Sequence, residues 1–290
     1  MKSASFQERL QKPRPLLLDG ATGTELSRRG FDVDRPGWSA MAIRECPNLL
    51  QTIHRDYVEA GAEIITANTF RAHRRNLEPL GLGDQARDLV AQAVNLAKSA
   101  CGDCAWVAGS VAPVGDCYTL QQTPDERGLM AAHTEIVQNL IDAEVDLILI
   151  ETQTNILEAK IACQAASQAN VPYFVSFVTD LQGQLLSGET LQQAAVQVGE
   201  FDPQAILLNC VSPLIEPRVL REMALASGKP VGIYANTGTL NSDGTWEETG
   251  AVSPAVYAGF AKGWLNAEVC LIGGCCGTTP EHISVLRTML

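Results

Sequence analysis

Residues 147–151 read Leu-Ile-Leu-Ile-Glu, an unbroken aliphatic run closed by an acid. A strand with one face in water alternates apolar and polar residues. A run without alternation suits a strand buried on both faces, as in a parallel sheet. The stretch that follows, Asn155 to Ala169, carries apolar residues at helical spacing, and a second run, Tyr173-Phe174-Val175-Ser176-Phe177, comes after it. Strand, helix, strand is the repeating unit of parallel α/β architecture.

The same unit recurs in both directions. Upstream lie Leu16-Leu17-Leu18-Asp19-Gly20, Glu63 to Asn68 and Trp106 to Ser110; downstream lie Ala205 to Cys210, Val231 to Asn236 and Val269 to Gly274. Helical spacing marks Asn48 to Ala60, Asp84 to Ala100, Ala131 to Ala143, Leu191 to Val198, Glu216 to Ala226 and Pro254 to Asn266. Eight strand runs in 290 residues count out a closed (β/α)8 TIM barrel. No linker or composition step divides the chain, so a single domain over 1–290 is expected, with its core at about 14–288. The alternative is an open doubly wound sheet. Its phosphate-binding G-x-G-x-x-G is missing after the first run, where Gly20-Ala21-Thr22-Gly23 has the wrong spacing.

Bulk properties narrow the function. A formal charge of −12 argues against a nucleic-acid partner, which needs a basic face. No apolar run is long enough for a membrane span, and Met1 to Pro15 lacks a signal-type apolar core. Nine cysteines without a secretion signal then point to a reducing, cytoplasmic setting, and to free, catalytic or metal-binding thiols rather than disulfides.

In a barrel the chemistry collects at the carboxyl ends of the strands. The residues there are Asp19, Asn68, Ser110, Glu151, Asn209, Cys210, Asn236, Cys275 and Cys276. The pair Cys275-Cys276 sits in Gly273-Gly274-Cys-Cys-Gly277, where flanking glycines permit a tight turn and make poor core material. Cys210 ends the sixth run and Cys275 follows the eighth, two strands apart across one mouth. Three thiolates with an open fourth position match a catalytic zinc site; three buried small hydrophobes are the plainer alternative. Asn236, ending the intervening seventh run, is the candidate for the fourth position, although Ala235-Asn236-Thr237-Gly238 also reads as a turn. Cys101-Gly-Asp-Cys104 has ligand spacing but falls at the opposite face, where an exposed turn is expected. Cys163 and Cys270 read as core. His54 and His133 read as surface or partly buried helix residues, and His73 could face the mouth.

Several ordered segments carry a resemblance. Asp19-Gly-Ala-Thr-Gly-Thr-Glu25, Glu59 to Phe70, Gly109-Ser-Val-Ala-Pro113, Ile148-Leu-Ile-Glu-Thr152, Asn209-Cys210 and Ile272 to Pro280 together resemble the homocysteine S-methyltransferase family, over about residues 14 to 288. That family includes S-methylmethionine-dependent enzymes, betaine–homocysteine methyltransferase and the homocysteine module of cobalamin-dependent methionine synthase. The resemblance implies a (β/α)8 barrel, zinc held by Cys210, Cys275 and Cys276, and homocysteine as methyl acceptor. It places Asp19, Gly20 and Glu151 at the amino-acid end of homocysteine. Gly277 and Asn68-Thr69-Phe70 lean towards the methionine-synthase module, while Ala112 departs from a glycine common in the third-strand motif.

These residue types suit the chemistry. A free thiol is only a few per cent thiolate at neutral pH, and zinc deprotonates a coordinating thiol. The ammonium of homocysteine needs acceptors, which Asp19 and Glu151 supply. Its carboxylate needs donors, which the backbone from Gly20 through Thr22 to Thr24 can offer. Asp19 could instead be a helix N-cap, and Glu151 an exposed strand-end acid. The expected substrate contacts are therefore Asp19, Gly20, Thr22, Asn68 and Glu151, with Zn2+ as cofactor. The expected partners are homocysteine and a small methyl donor, S-methylmethionine or S-adenosylmethionine, because no folate or cobalamin segment is legible. A zinc- and homocysteine-binding module without turnover is the alternative. A cysteine-nucleophile acyltransferase would need a well-placed base that the histidines do not provide.

Overall fold

The computed structural model describes residues 5–117, 120–240 and 245–290. All eight runs are strands: β1 Leu16–Leu17, β2 Ile64–Ala67, β3 Trp106–Val111, β4 Leu147–Gln153, β5 Tyr173–Phe177, β6 Ala205–Asn209 and β7 Val231–Ala235, with the last at Leu271–Gly274. A small antiparallel hairpin, β8 Gly238–Leu240 and β9 Trp246–Glu248, precedes that last strand, which is therefore β10. The barrel strands are all parallel, in the order β1-β10-β7-β6-β5-β4-β3-β2. A parallel bridge from Leu18 to Ile64 closes the ring. The chain is a (β/α)8 TIM barrel.

Every residue of β4 is buried, which is what the unalternating run demanded. Helices cover the outside through apolar stripes. Pro47–Glu59 starts on proline and buries Leu50, Ile53, His54 and Tyr57; Ile156–Ser167 is capped by Asn155, whose side chain accepts the Glu158 N–H at 2.9 Å. The helix expected from Ala131 starts earlier, at Glu126, because Asp125 caps it through the Gly128 N–H. Among the helices that were not expected are Phe6–Leu10, Thr22–Arg28 and Pro280–Met289. The second replaces what read as a turn. Gly20 and Gly23 disguised it, yet both glycines are steric necessities: a Cβ on Gly20 would sit 2.7 Å from the Tyr57 ring, and one on Gly23 would meet Trp38.

The amino end packs beneath the barrel. Phe6 meets Trp106 edge-on at 5.5 Å and Phe174 at 5.9 Å, closing the floor. Arg9 and Arg14 both pair with Glu63 there, and Arg9 also donates to the carbonyls of Arg14 and Pro15.

Two expectations about side chains are corrected. His54 and His133 are fully buried rather than at the surface, because each faces inward from its amphipathic helix. Cys104 is exposed as expected, but Cys101 is buried, ending the helix Ala86–Cys101 on its apolar face.

Candidate active site

The carboxyl ends of the strands open into a cavity of about 1790 Å3. Its wall includes Asp19, Gly20, Thr22, Asn68, Glu151, Cys210, Cys275 and Cys276, eight of the nine residues expected at the site. Asn236 is the ninth; it lies 1% exposed and outside the lining.

One wall is sulfur. Cys210 follows β6, and Cys275-Cys276 follow β10, with β7 between. The three sulfurs lie within 4.8 Å of one another, and Cys210 Sγ and Cys276 Sγ are 3.8 Å apart. Sulfurs bound at about 2.3 Å around a tetrahedral zinc stand roughly 3.8 Å from each other, so the spacing fits such an ion. Two backbone features build it. Cys210 adopts a left-handed φ of +55°, and Gly277 one of +84° in a turn where a side chain would strike Thr237. All three thiols stand well above the ordinary thiol range. For Cys210 the first cause is hydrogen bonding with Cys275, and for Cys276 it is hydrogen bonding with Cys210, with burial behind both. For Cys275 a bond with Cys210 pulls down, but Cys276 and burial outweigh it. Three crowded, half-buried thiols resist ionisation unless a cation joins them.

Asn236 supplies a second sign of a missing partner. Its backbone N–H donates to Val211 O at 2.9 Å, yet its side-chain Oδ1 is buried with no hydrogen-bond partner. Buried acceptors are rarely left so.

Two acids share this mouth, Asp19 beside the cysteine-bearing strand β10 and Glu151 on β4. Asp19 accepts from the Thr66 N–H at 2.7 Å and from Thr66 Oγ1 at 2.9 Å. Glu151 accepts from Ser110 Oγ, and from the Tyr234 hydroxyl at 3.2 Å. Asp19 is 2% and Glu151 8% exposed. Burial pushes both carboxyl groups up to about 7, and the Glu151 charge adds to the rise at Asp19; the hydrogen bonds pull the other way and lose. Among the described residues, no arginine or lysine pairs with either acid.

Asn68 has both amide atoms engaged by Ser39: Oδ1 accepts from Ser39 Oγ at 2.9 Å and Nδ2 donates to Ser39 O at 2.8 Å. Thr22 opens the helix Thr22–Arg28, whose preceding residue Ala21 offers no side-chain cap. His73 does not reach the mouth. It is buried behind the loop after β3, where Nε2 pairs with Ala112 O at 2.9 Å and the ring stands edge-on to His133.

Sequence reading missed Thr66 and Tyr234, which hold the two acids. A signal existed: each is a polar side chain inside an apolar barrel strand, two residues before Asn68 and Asn236 respectively. Inward-facing strand residues alternate, so these positions share the interior face with residues already singled out.

Comparison with known proteins identifies the family. The family model for homocysteine S-methyltransferase matches residues 16–290. A selenocysteine Se-methyltransferase of Brassica oleracea var. italica is 28% identical over 94% of this chain and 88% of its own length. A methionine synthase of Mycobacterium leprae is 31% identical over 93% of this chain, but only 24% of that protein. Among solved structures, the metallated form of the homocysteine methyltransferase MmuM from Escherichia coli superposes with a TM-score of 0.82 at 26% identity, covering 97% of each chain.

Proposed function

Since this chain belongs to the homocysteine S-methyltransferase family, we propose that it transfers a methyl group to the thiol of homocysteine, with zinc held by Cys210, Cys275 and Cys276. The observation that carries the reading is one cavity that holds both a triangle of thiols and two buried acids with no cation paired to them among the described residues. Homocysteine has a thiol at one end and an ammonium at the other, so the two groups match its two ends.

Zinc in the sulfur triangle would hold the incoming thiol as thiolate at neutral pH while three thiolate ligands keep it electron-rich. The protein's residues do the rest. Asp19 and Glu151 take the ammonium, and their hydrogen bonds to Thr66, Ser110 and Tyr234 fix where it sits. Backbone N–H groups from Gly20 through Thr22 to Thr24 receive the carboxylate. Asn68 braces the loop at Ser39, and Asn236 Oδ1, a buried oxygen without a hydrogen-bond partner, would be the neutral ligand to complete the metal's ligand set.

The donor read best here is a sulfonium, S-methylmethionine ahead of S-adenosylmethionine. Trp38 and Phe70 line the same cavity with ring centroids 5.8 Å apart, and Trp246 lies at its edge. Aromatic faces attract a sulfonium cation. The methyl carbon passes to the homocysteine sulfur as its bond to the donor sulfur breaks, the electron pair stays on the departing thioether, and the thiol proton has already left. In-line alignment is then the main requirement. The match to a quarter of methionine synthase favours a second reading, in which the barrel serves a folate donor.

Purified protein loaded with zinc is incubated with homocysteine and, in turn, S-methylmethionine, S-adenosylmethionine, betaine and methyltetrahydrofolate, and methionine is measured. Methionine from a sulfonium is expected. Methionine from methyltetrahydrofolate alone would overturn the donor assignment, and none from any donor would favour a binding module.

A further inference from the structure

Three residues lining the cavity hold backbones that side chains other than glycine seldom adopt, Trp38 at φ +46° among them. Thr152, next to Glu151, has φ +60°, and Cys210 has φ +55°. For β-branched threonine the left-handed region is a marked outlier, sustained only where surrounding structure enforces it. The pairing of β4 with β5 shifts register between Ile150 and Gln153, so Glu151 and Thr152 ride on this irregularity.

Asn209 links the two sites. It is fully buried. Its Oδ1 accepts from the Thr152 N–H at 2.9 Å and from Ser176 Oγ at 2.7 Å, while its Nδ2 donates to Thr152 Oγ1 at 2.8 Å. One amide therefore ties β6 to β4 across β5. With two donors on one atom and an acceptor opposite the other, its orientation is fixed. Its neighbour in sequence is Cys210, and the neighbour of its partner Thr152 is Glu151.

We propose that Asn209, through Thr152, is a positioning residue that sets the separation of Glu151 from Cys210. It touches neither substrate nor metal in this assignment. The proposal rests on the reading above, in which Glu151 and the thiols take the two ends of one amino acid.

The test uses the full chain as wild type, Thr152→Val, which removes the Oγ1 acceptor at nearly equal size, and Thr152→Ser, which restores it. Metal is supplied as Co2+ alone, and homocysteine binding is then titrated. Thr152→Val is expected to keep about one cobalt per chain, shift the cobalt–thiolate absorption, and weaken homocysteine about tenfold, the effect of one buried polar group losing its partner. Thr152→Ser is expected to return both to wild type, which a general loss of stability would not do. Should Thr152→Val fail to fold, Ser176→Ala removes a different one of the three bonds, with an expected loss of about threefold. Wild-type affinity and spectrum in the Val or Ala variant, while wild type binds both probes, would overturn the clasp alone. A wild-type protein that binds neither cobalt nor homocysteine would overturn the reading of the cavity, and the clasp with it.

Discussion

Glu63 and Glu151 are both acids on barrel strands or at their margins, and they end at opposite extremes. At the floor, burial pushes Glu63 up, but its hydrogen bond with Arg9 and the charges of Arg9 and Arg14 bring it below the usual carboxylate range. At the mouth, burial pushes Glu151 up to about 7, with only neutral donors, Ser110 and Tyr234, to oppose it. Asp19 repeats the mouth pattern. The difference is a cation: the floor carries its own, whereas in the proposed function the mouth receives one with the ligand. The thiols show the same asymmetry, crowded and held protonated in the absence of a positive charge. Compensation inside the chain marks the end that stabilises the fold, and its absence marks the end that binds.

The largest test of that contrast removes the sulfur wall. Cys276→Ala is expected to drop zinc from about one per chain to near none, measured by elemental analysis, because metal binding depends steeply on a full ligand set. Cys104→Ala, on the exposed turn, should leave zinc unchanged.

Next, Glu151→Gln is expected to retain zinc but weaken homocysteine by about 2–5 kcal/mol, the range for removing one partner of a buried charge pair. Calorimetric titration reads it, and wild-type affinity would break the contrast between the two ends.

Phe6→Ala probes the floor. Loss of a buried aromatic costs about 3 kcal/mol of unfolding free energy, read by denaturant melting. Homocysteine affinity of the folded protein should not change, since Phe6 packs on Trp106 and Phe174, far from the carboxyl ends of the strands.

The smallest effect is a pH dependence. Asp19 and Glu151 stand at about 7 when free, and an ammonium pairs with them only after their protons leave. Binding must therefore expel protons below pH 7. Affinity should fall as pH drops from 7 towards 6, by at most about tenfold per unit for each proton released, and should level off above 7 until the ligand's own ammonium deprotonates. The slope should shrink in Glu151→Gln. A flat profile in wild type would mean the acids are already ionised in the free protein.

The sequence by itself determined the barrel, because eight unalternating apolar runs separated by amphipathic helices have few other ways to bury both faces of every strand. It also brought the cysteines to one mouth, since strand order in a closed barrel follows chain order. It marked Asp19 and Glu151 as strand-end acids suited to an ammonium, without their protonation. Their common rise to about 7 depends on what surrounds them, and that is set by Thr66, Ser110 and Tyr234 on other strands. The helix Thr22–Arg28 escaped notice because its glycines answer to Tyr57 and Trp38, which are distant in sequence. The clasp of Asn209 on Thr152 spans 57 residues and depends on two left-handed backbones that no residue type here announces. Periodicity is a local property and can be read from the chain alone. Desolvation, crowding of like groups and backbone strain are sums over neighbours, and only the closed barrel decides which neighbours those are.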